Sequence, residues 1–167
     1  MIAYLLYKPL KPRKHPKFLP GRDVTIVVPT IDAGEEIQLA IRSWLKCNPF
    51  QIIFITVPKA KPAIVEMASE FDPTLKRIKV ITISRPNKRN QMVAGINHCK
   101  TEILVFCDDD ALWPPTMLEY ICAPFEDPQM GGVGTSQNVI PVGKKMTVWE
   151  ILAAYRISVG LSYLFFR

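Results

Sequence analysis

The run Asp23-Val24-Thr25-Ile26-Val27-Val28-Pro29 is apolar at nearly every position, without alternation, and a proline stops it. A strand with one wet face alternates apolar and polar residues. A strand covered on both faces does not, so this run predicts an interior strand of a parallel sheet. Outward from it the period changes. Ile37, Ala40, Ile41, Trp44 and Leu45 recur at helical spacing and predict a helix over 35–46. Further strands are predicted over 51–57, 78–83 and 102–107. Helices are predicted over 63–71, opened by Pro62 near its first turn, and over 90–99 despite Gly95. A helix from Pro114 or Pro115 to Cys122, a strand over 131–139 and a long final helix from Thr147 complete the order. Strict alternation of strands and helices implies right-handed crossovers and an α/β, Rossmann-like layer structure with a mostly parallel sheet.

A chain of 167 residues supports one domain with a sizeable core, and 49% hydrophobic with 22% charged residues excludes disordered and collagen-like classes. Part of the net charge of +6 lies in Lys8, Lys11, Arg13, Lys14 and Lys17, interleaved with prolines. Residues 1–21 are therefore expected to be an extended basic arm without packing of its own. Such an arm could touch anionic lipid headgroups or nucleic acid but is more often a solvated tail, and nucleic acid is not among the expected partners. The apolar stub 1–7 is too short to span a bilayer. Glu150 and Arg156 interrupt the apolar stretch 148–166, which suits an amphipathic or core helix needing a partner surface, either further protein or a membrane interface. The domains expected are thus the arm, a ligand-binding domain over 22–145 and a C-terminal helix over 146–167. Cys47, Cys99, Cys107 and Cys122 form no CxxC pair and read as buried free thiols, and His15 and His98 stand alone.

Parallel α/β sheets bind ligands beyond the carboxyl ends of their strands. Three segments with chemistry fall there: Pro29-Thr30-Ile31-Asp32, Ser84-Arg85-Pro86-Asn87-Lys88-Arg89-Asn90, and Asp108-Asp109-Asp110 after the apolar run 103–107. On an extended backbone Asp108 and Asp110 point the same way and could share a divalent ion, with Asp109 turned elsewhere. The competing reading of the triplet is a solvated acidic turn. Lys88 and Arg89 suit phosphate oxygens, or else form a solvated basic loop. A carboxylate element and a cationic loop on one edge fit a diphosphate bridged by Mg²⁺ or Mn²⁺, whose charge the metal would stabilise if it leaves.

Four segments occur in an informative order: Val27-Val28-Pro29-Thr30; residues 87–97; the aspartate triplet with Pro114 and Leu118 downstream; and residues 127–134. Together they resemble the donor-binding half of family 2 glycosyltransferases with the GT-A fold, above all processive polysaccharide synthases of the hyaluronan, chitin and cellulose synthase type. The resemblance covers about residues 22–155. It implies an incomplete GT-A nucleotide-sugar-binding domain and an inverting, hexosyltransferase-type enzyme. It also implies a nucleotide-sugar donor, usually a UDP-sugar, a glycan acceptor and a place at the cytosolic face of a membrane. Asp108 and Asp110 take the positions of the family's D-x-D metal element, with Mn²⁺ or Mg²⁺ as cofactor. Thr30, Asp32, Lys88, Arg89, Asp108 and Asp109 make up the expected donor-binding set. Asp32 suits a ribose or base contact and equally well a helix N-cap.

Two departures qualify the resemblance. After the second strand the family commonly carries Asp-Asp-Gly/Ser, whose first Asp recognises uracil. Here the sequence is Ile55-Thr56-Val57-Pro58-Lys59, leaving Thr56 or Lys59 as the nearest polar groups. The family's acidic element bearing the general base and its Gln-x-x-Arg-Trp element have no counterpart, so the catalytic base is unassigned. The competing expectation is a truncated, inactive pseudoenzyme or interaction module that keeps the fold. Nucleotidyltransferases share the layout, but Gly34 stands alone where they carry a glycine-rich loop.

Overall fold

The computed structural model describes residues 10–155, apart from Ala33, Pro86, Ser136, Val142 and Lys144. Residues 10–131 form one compact unit, and the chain from Gly132 onward falls outside it. In the first unit a short turn of helix α1 (Pro20–Asp23) leads into β1 (Val24–Pro29). There follow α2 (Glu36–Lys46), β2 (Gln51–Thr56), α3 (Lys61–Phe71), β3 (Ile78–Thr82), α4 (Lys88–His98), β4 (Ile103–Phe106) and α5 (Met117–Cys122), which runs into a 3₁₀ turn over Ala123–Glu126.

The four strands form one parallel sheet in the order β3-β2-β1-β4. From β1 the chain moves outward through β2 to β3, then crosses back over two strands to β4 on the far side of β1. Right-handed crossovers in opposite directions put their helices on opposite faces. The cores agree. Val24, Ile26, Val28, Ile52 and Phe54 pack with Ile37, Ile41, Trp44 and Ile64 of α2 and α3 and with Leu118 of α5. On the other face Val27, Ile53 and Ile55 pack with Ala94 of α4. All of β2 is buried, which is why its sequence shows no alternation.

The α4 face is the more tightly approached. A Cβ on Gly95 would lie 2.3 Å from Val27 Cγ1, so the glycine is required where the helix backbone meets the central strand. Asn87 caps this helix, its side chain accepting from the Arg89 and Asn90 amides at 3.0 and 3.3 Å.

The structure corrects three expectations. Residues 10–21 are not a free arm. Phe18 is buried, the Lys17 amide donates to Glu126 at 2.6 Å, and Arg13 reaches the same carboxylate. One apolar ring and one acceptor suffice to hold a proline-rich segment down. Residues 131–139 are not a strand among the described positions. Gly131, Gly132 and Gly134 weaken any strand there, and Val133 and Ile140 are exposed instead of packed. Lys88 and Arg89 are not in a loop but are the first two residues of α4, which begins two positions earlier than its apolar pattern suggests because Asn87 caps it.

The C-terminal helix is seen over 148–155, and its continuation lies outside the described residues, as do residues 1–9. A reciprocal cap opens it: the Thr147 amide donates to Glu150 at 2.6 Å, and the Glu150 amide donates to the Thr147 hydroxyl at 3.3 Å. Among the described residues no helix is long and apolar enough to cross a membrane.

Candidate functional site

Because the strands are parallel, all four carboxyl ends open on one edge, and the strand order reverses between β1 and β4. That makes the crevice between them a topological switch point, where open α/β sheets take ligands. Thr30 follows β1 there and Asp108 follows β4, one residue beyond Cys107, whose amide still donates to Val27 at 3.1 Å.

Side-chain alternation along β4 puts Ile103 and Cys107 on the α2–α3 side and Leu104 on the α4 side. Continued one residue, it carries Asp108 to the α4 face. Lys88 opens α4 on that face, and its ammonium donates to Asp108 Oδ1 at 2.5 Å. The contact is notable because β3, which precedes Lys88, and β4 are opposite edges of the sheet. They are three inter-strand spacings apart, about 14 Å. Six residues from Thr82 to Lys88 can span roughly 20 Å, so the connection is long enough to carry the lysine across the whole edge. Both side chains are more than half exposed, so the pair stabilises the fold little and its interest is positional. Arg89, exposed beside it, takes part in no ion pair among the described residues.

The triplet itself is not extended. The chain turns after Asp108, and the Ala111 amide donates back to the Asp108 carbonyl at 3.2 Å. The alternation that would set Asp108 and Asp110 side by side therefore stops at Asp108. Asp109 is half-buried and Asp110 exposed. Among the described residues no three acidic, histidine or cysteine side chains cluster closely enough to make a closed metal cage. The donors are nevertheless hard carboxylate oxygens, exposed at Asp108 and Asp110. This suits an open Mg²⁺ or Mn²⁺ site completed by phosphate oxygens and water better than a dedicated protein cage.

Thr30 is buried, and its hydroxyl donates to the Asp32 carbonyl at 2.8 Å, shaping the loop that exposes Asp32. Asp32 does not cap α2. Glu35 holds the N-cap position, without a side-chain bond. Thr56 is fully buried at the end of β2, and its hydroxyl is the buried side-chain group left without a partner among the described residues. Lys59 is exposed in the turn beyond.

Two supports of this edge are invisible in the sequence pattern. Gln91, 2% exposed, donates from its amide to the carbonyls of Thr30 and Ile55, both at 2.7 Å. One side chain thus ties α4 to the ends of β1 and β2. Beneath the acidic turn, the Trp44 indole donates to Ala111 at 2.9 Å, the Trp113 amide donates to the Ser43 hydroxyl at 3.1 Å, and the Cys47 thiol donates to Pro114 at 3.2 Å. The only hint of the first was a polar residue at an inward helical position. The second had none, since Trp44 reads simply as core.

The cysteines take no part in the chemistry of this edge. All four are free; burial, followed by the carboxylates of Asp108, Asp110 and Asp109, pushes the Cys107 thiol far up. Burial lifts Cys47 and takes Cys122 to about 11. These thiols stay protonated and inert. Cys99 is half-buried instead of buried as expected. An open hollow of about 220 Å³, lined by Pro12, Phe18, Leu19 and Cys122 among others, belongs to the opposite end of β1, where Leu19 and Pro20 precede the strand.

Fold and edge together define the class: a doubly wound parallel α/β domain whose switch-point crevice carries a basic helix start against a carboxylate turn. The family described as Glycosyltransferase like family 2 matches residues 20–159, and the chain belongs to it. It is 40% identical over 152 residues to a "Type 2 glycosyltransferase" of Zymoseptoria tritici (strain CBS 115943 / IPO323), covering 90% of this chain and 31% of that protein. It is 34% identical to a protein of the same description from Gibberella zeae (strain ATCC MYA-4620 / CBS 123657 / FGSC 9075 / NRRL 31084 / PH-1), covering 83% and 26%. It is 31% identical to the "NDP-glycosyltransferase ltbB" of Aspergillus luteorubrus, covering 89% and 38%. The chain thus spans 26–38% of the length of these relatives. Among solved structures, a 4-diphosphocytidyl-2C-methyl-D-erythritol synthase from Anaerococcus prevotii overlaps 53% of this chain and 44% of its own, at 10% identity and a TM-score of 0.45, a likeness too slight to add to the fold.

Proposed function

We propose that this chain is the donor-binding part of a glycosyltransferase of hexosyltransferase type, holding a nucleoside diphosphate sugar, a UDP-sugar in the first instance, for transfer to a glycan acceptor. The observation that carries the reading is the meeting of Lys88 and Asp108 across the switch-point crevice. A diphosphate is the ligand whose chemistry uses both signs. Its oxygens accept from the ammonium, and they would share a divalent cation with the carboxylates. Similarity to a relative named an NDP-glycosyltransferase supports the same donor class.

In this reading Asp108 and Asp110 hold Mn²⁺ or Mg²⁺, which would stabilise the departing diphosphate. Lys88 and Arg89 take up phosphate charge. Thr30, through the loop it fixes, places Asp32 against the nucleoside, and Asp109 lines the donor side of the turn. The proposed location is the cytosolic face of a membrane, supported by the apolar helix over 148–155, where Val148, Trp149, Ile151, Leu152 and Tyr155 are all more than half exposed.

The test is calorimetry of UDP and UDP-sugars against the full chain, with and without Mn²⁺ or Mg²⁺. Micromolar-range binding that depends on the metal, and is abolished by Asp108→Ala or Asp110→Ala, is the expected result. An intact chain with no metal-dependent nucleotide affinity overturns the reading. Labelled UDP-sugars with oligosaccharide acceptors then separate transfer from binding alone.

A further inference from the structure

The segment over 10–22 carries Lys11, Arg13, Lys14, Lys17 and Arg22 and no acidic residue. The fold sorts its side chains by polarity. Pro12, Pro16 and Phe18 are buried or half-buried, whereas every basic residue of the segment is exposed. Two ties hold that arrangement in place: the Lys17 amide donates to Glu126 at 2.6 Å, and the Arg22 guanidinium donates to the Lys17 carbonyl at 2.7 Å. Arg13 is neutralised by Glu126 and Arg22 by Asp23. Lys11, Lys14 and Lys17 take part in no ion pair among the described residues. The Lys17 ammonium lies 4.7 Å from the centroid of the Phe18 ring, a contact that leaves its charge uncompensated. Leu10 and Leu19, on either side of these lysines, are 58% and 44% exposed. A cationic tail in solvent gains nothing from being pinned or from exposed leucines. An anionic bilayer uses both, since its headgroups meet the cations and the layer beneath them takes apolar side chains. Duplex nucleic acid supplies the charge but no apolar layer.

We propose that the strap over 10–22 docks on the surface of an anionic bilayer, with Lys11, Lys14 and Lys17 against the headgroups and Leu10 and Leu19 set between them. The strap leads into the amino end of β1, whereas the switch-point crevice lies beyond the carboxyl ends of the strands. Docking here therefore covers the end of the sheet away from the crevice and leaves the crevice open to water. The inference makes no use of the donor reading. It adds to the proposed membrane location a surface that selects lipid by charge, which an apolar helix face does not do. Two properties follow from the charge. Zwitterionic lipid, having no net charge, gives the lysines little to bind, and salt weakens the contact because the lysines are exposed.

The experiment co-sediments the full chain with vesicles of phosphatidylcholine alone and of equal parts phosphatidylcholine and phosphatidylserine, at physiological salt and again at about 0.5 M. The unaltered chain is expected to bind the anionic vesicles on the order of a hundredfold more tightly than the neutral ones, and to lose most of that preference at the higher salt. Any contact of the helix over 148–155 with lipid serves both kinds of vesicle and leaves the ratio unchanged. Lys11→Gln, Lys14→Gln and Lys17→Gln together should weaken binding to the anionic vesicles by about fivefold per lysine, on the order of a hundredfold in all. Lys11→Arg, Lys14→Arg and Lys17→Arg together keep the charge and should bind as the unaltered chain does. Lys59→Gln, Lys61→Gln and Arg85→Gln remove the same charge from the carboxyl edge and should weaken binding only a few-fold. All six positions are exposed, so each variant should retain the unaltered circular dichroism spectrum. Equal binding to both kinds of vesicle, or to neither, overturns the inference. So does a preference for anionic lipid that the strap glutamines leave intact or that the edge variant loses as deeply, which would put the contact elsewhere and leave the membrane location standing. Tighter binding to a duplex oligonucleotide than to the anionic vesicles at the same salt, lost with the strap glutamines, would assign the surface to nucleic acid instead.

Discussion

Thr56 ends the central buried run of β2 with a hydroxyl sealed from solvent and unpartnered among the described residues. A buried hydroxyl without a hydrogen bond costs about 1–3 kcal/mol, whereas a methyl of the same shape costs nothing comparable. Thr56→Val is therefore expected to stabilise the free chain by about 1 kcal/mol, read as a higher urea midpoint at unchanged slope. A lower midpoint would show that the hydroxyl is satisfied after all. Thr56 and Lys59 are also the polar groups nearest to where the resemblance leads one to expect an Asp-Asp-Gly/Ser segment. If the donor base uses this hydroxyl, the same variant weakens UDP binding while stabilising the fold, the trade expected of a group kept for a ligand. The two measurements together separate a packing residue from a binding one. At this scale the sequence was least informative. Gln91 bonds to Thr30 across 61 positions and Trp44 to Ala111 across 67, and neither separation leaves a local periodicity to read.

Among the elements, α4 carries the most. It brings Lys88 to Asp108, ties β1 to β2 through Gln91, and presses its backbone onto Val27 through Gly95. Gly95→Ala sets two effects against each other. Alanine gains up to about 1 kcal/mol of helix propensity. Its Cβ would sit 2.3 Å from Val27 Cγ1, and Val27 is a fully buried, β-branched residue on the central strand with little freedom to turn aside. Overpacking of that kind costs about 1–3 kcal/mol. The clash should win, giving a lower denaturation midpoint and weaker UDP binding, because any retreat of α4 draws Lys88 from Asp108. A stabilised variant would mean the helix can slide on the sheet. Strand and helix order was legible because β1 and β2 are buried on both faces and read as unbroken apolar runs. The start of α4 was not, since an Asn87 cap leaves no mark on apolar spacing. The expected strand over 131–139 shows the converse error: β-branched residues with no pairing partner, interrupted by glycine, do not make a strand.

For the whole molecule, acid is the condition that tests how the compact unit is tied together. Asp23 closes the turn before β1. It accepts from Arg22 Nε and the Leu19 amide, both at 2.8 Å, and the Arg22 bond, with help from Leu19 and against burial, holds its carboxyl below the ordinary range. Asp72 closes the connection from α3 to β3. Burial presses it upward, but the Ile78 and Arg77 amides, at 3.0 and 2.7 Å, and the Thr74 hydroxyl outweigh that and leave it lowered too. A carboxyl whose folded value lies below its unfolded value of about 3.9 binds protons more readily when unfolded. Its stabilisation is complete above that unfolded value and disappears as the pH falls through the folded one. Between pH 7 and 5 these two groups should leave the urea midpoint flat, and below about pH 4 the midpoint should drop. Asp72→Asn cannot titrate yet keeps an oxygen for the amides. It should start from a lower midpoint at pH 7 and lose less on acidification, so that the two curves converge towards pH 2. Parallel curves would show that Asp72 ionises alike in both states and that the carboxylate at this corner gives the fold nothing that a neutral amide does not.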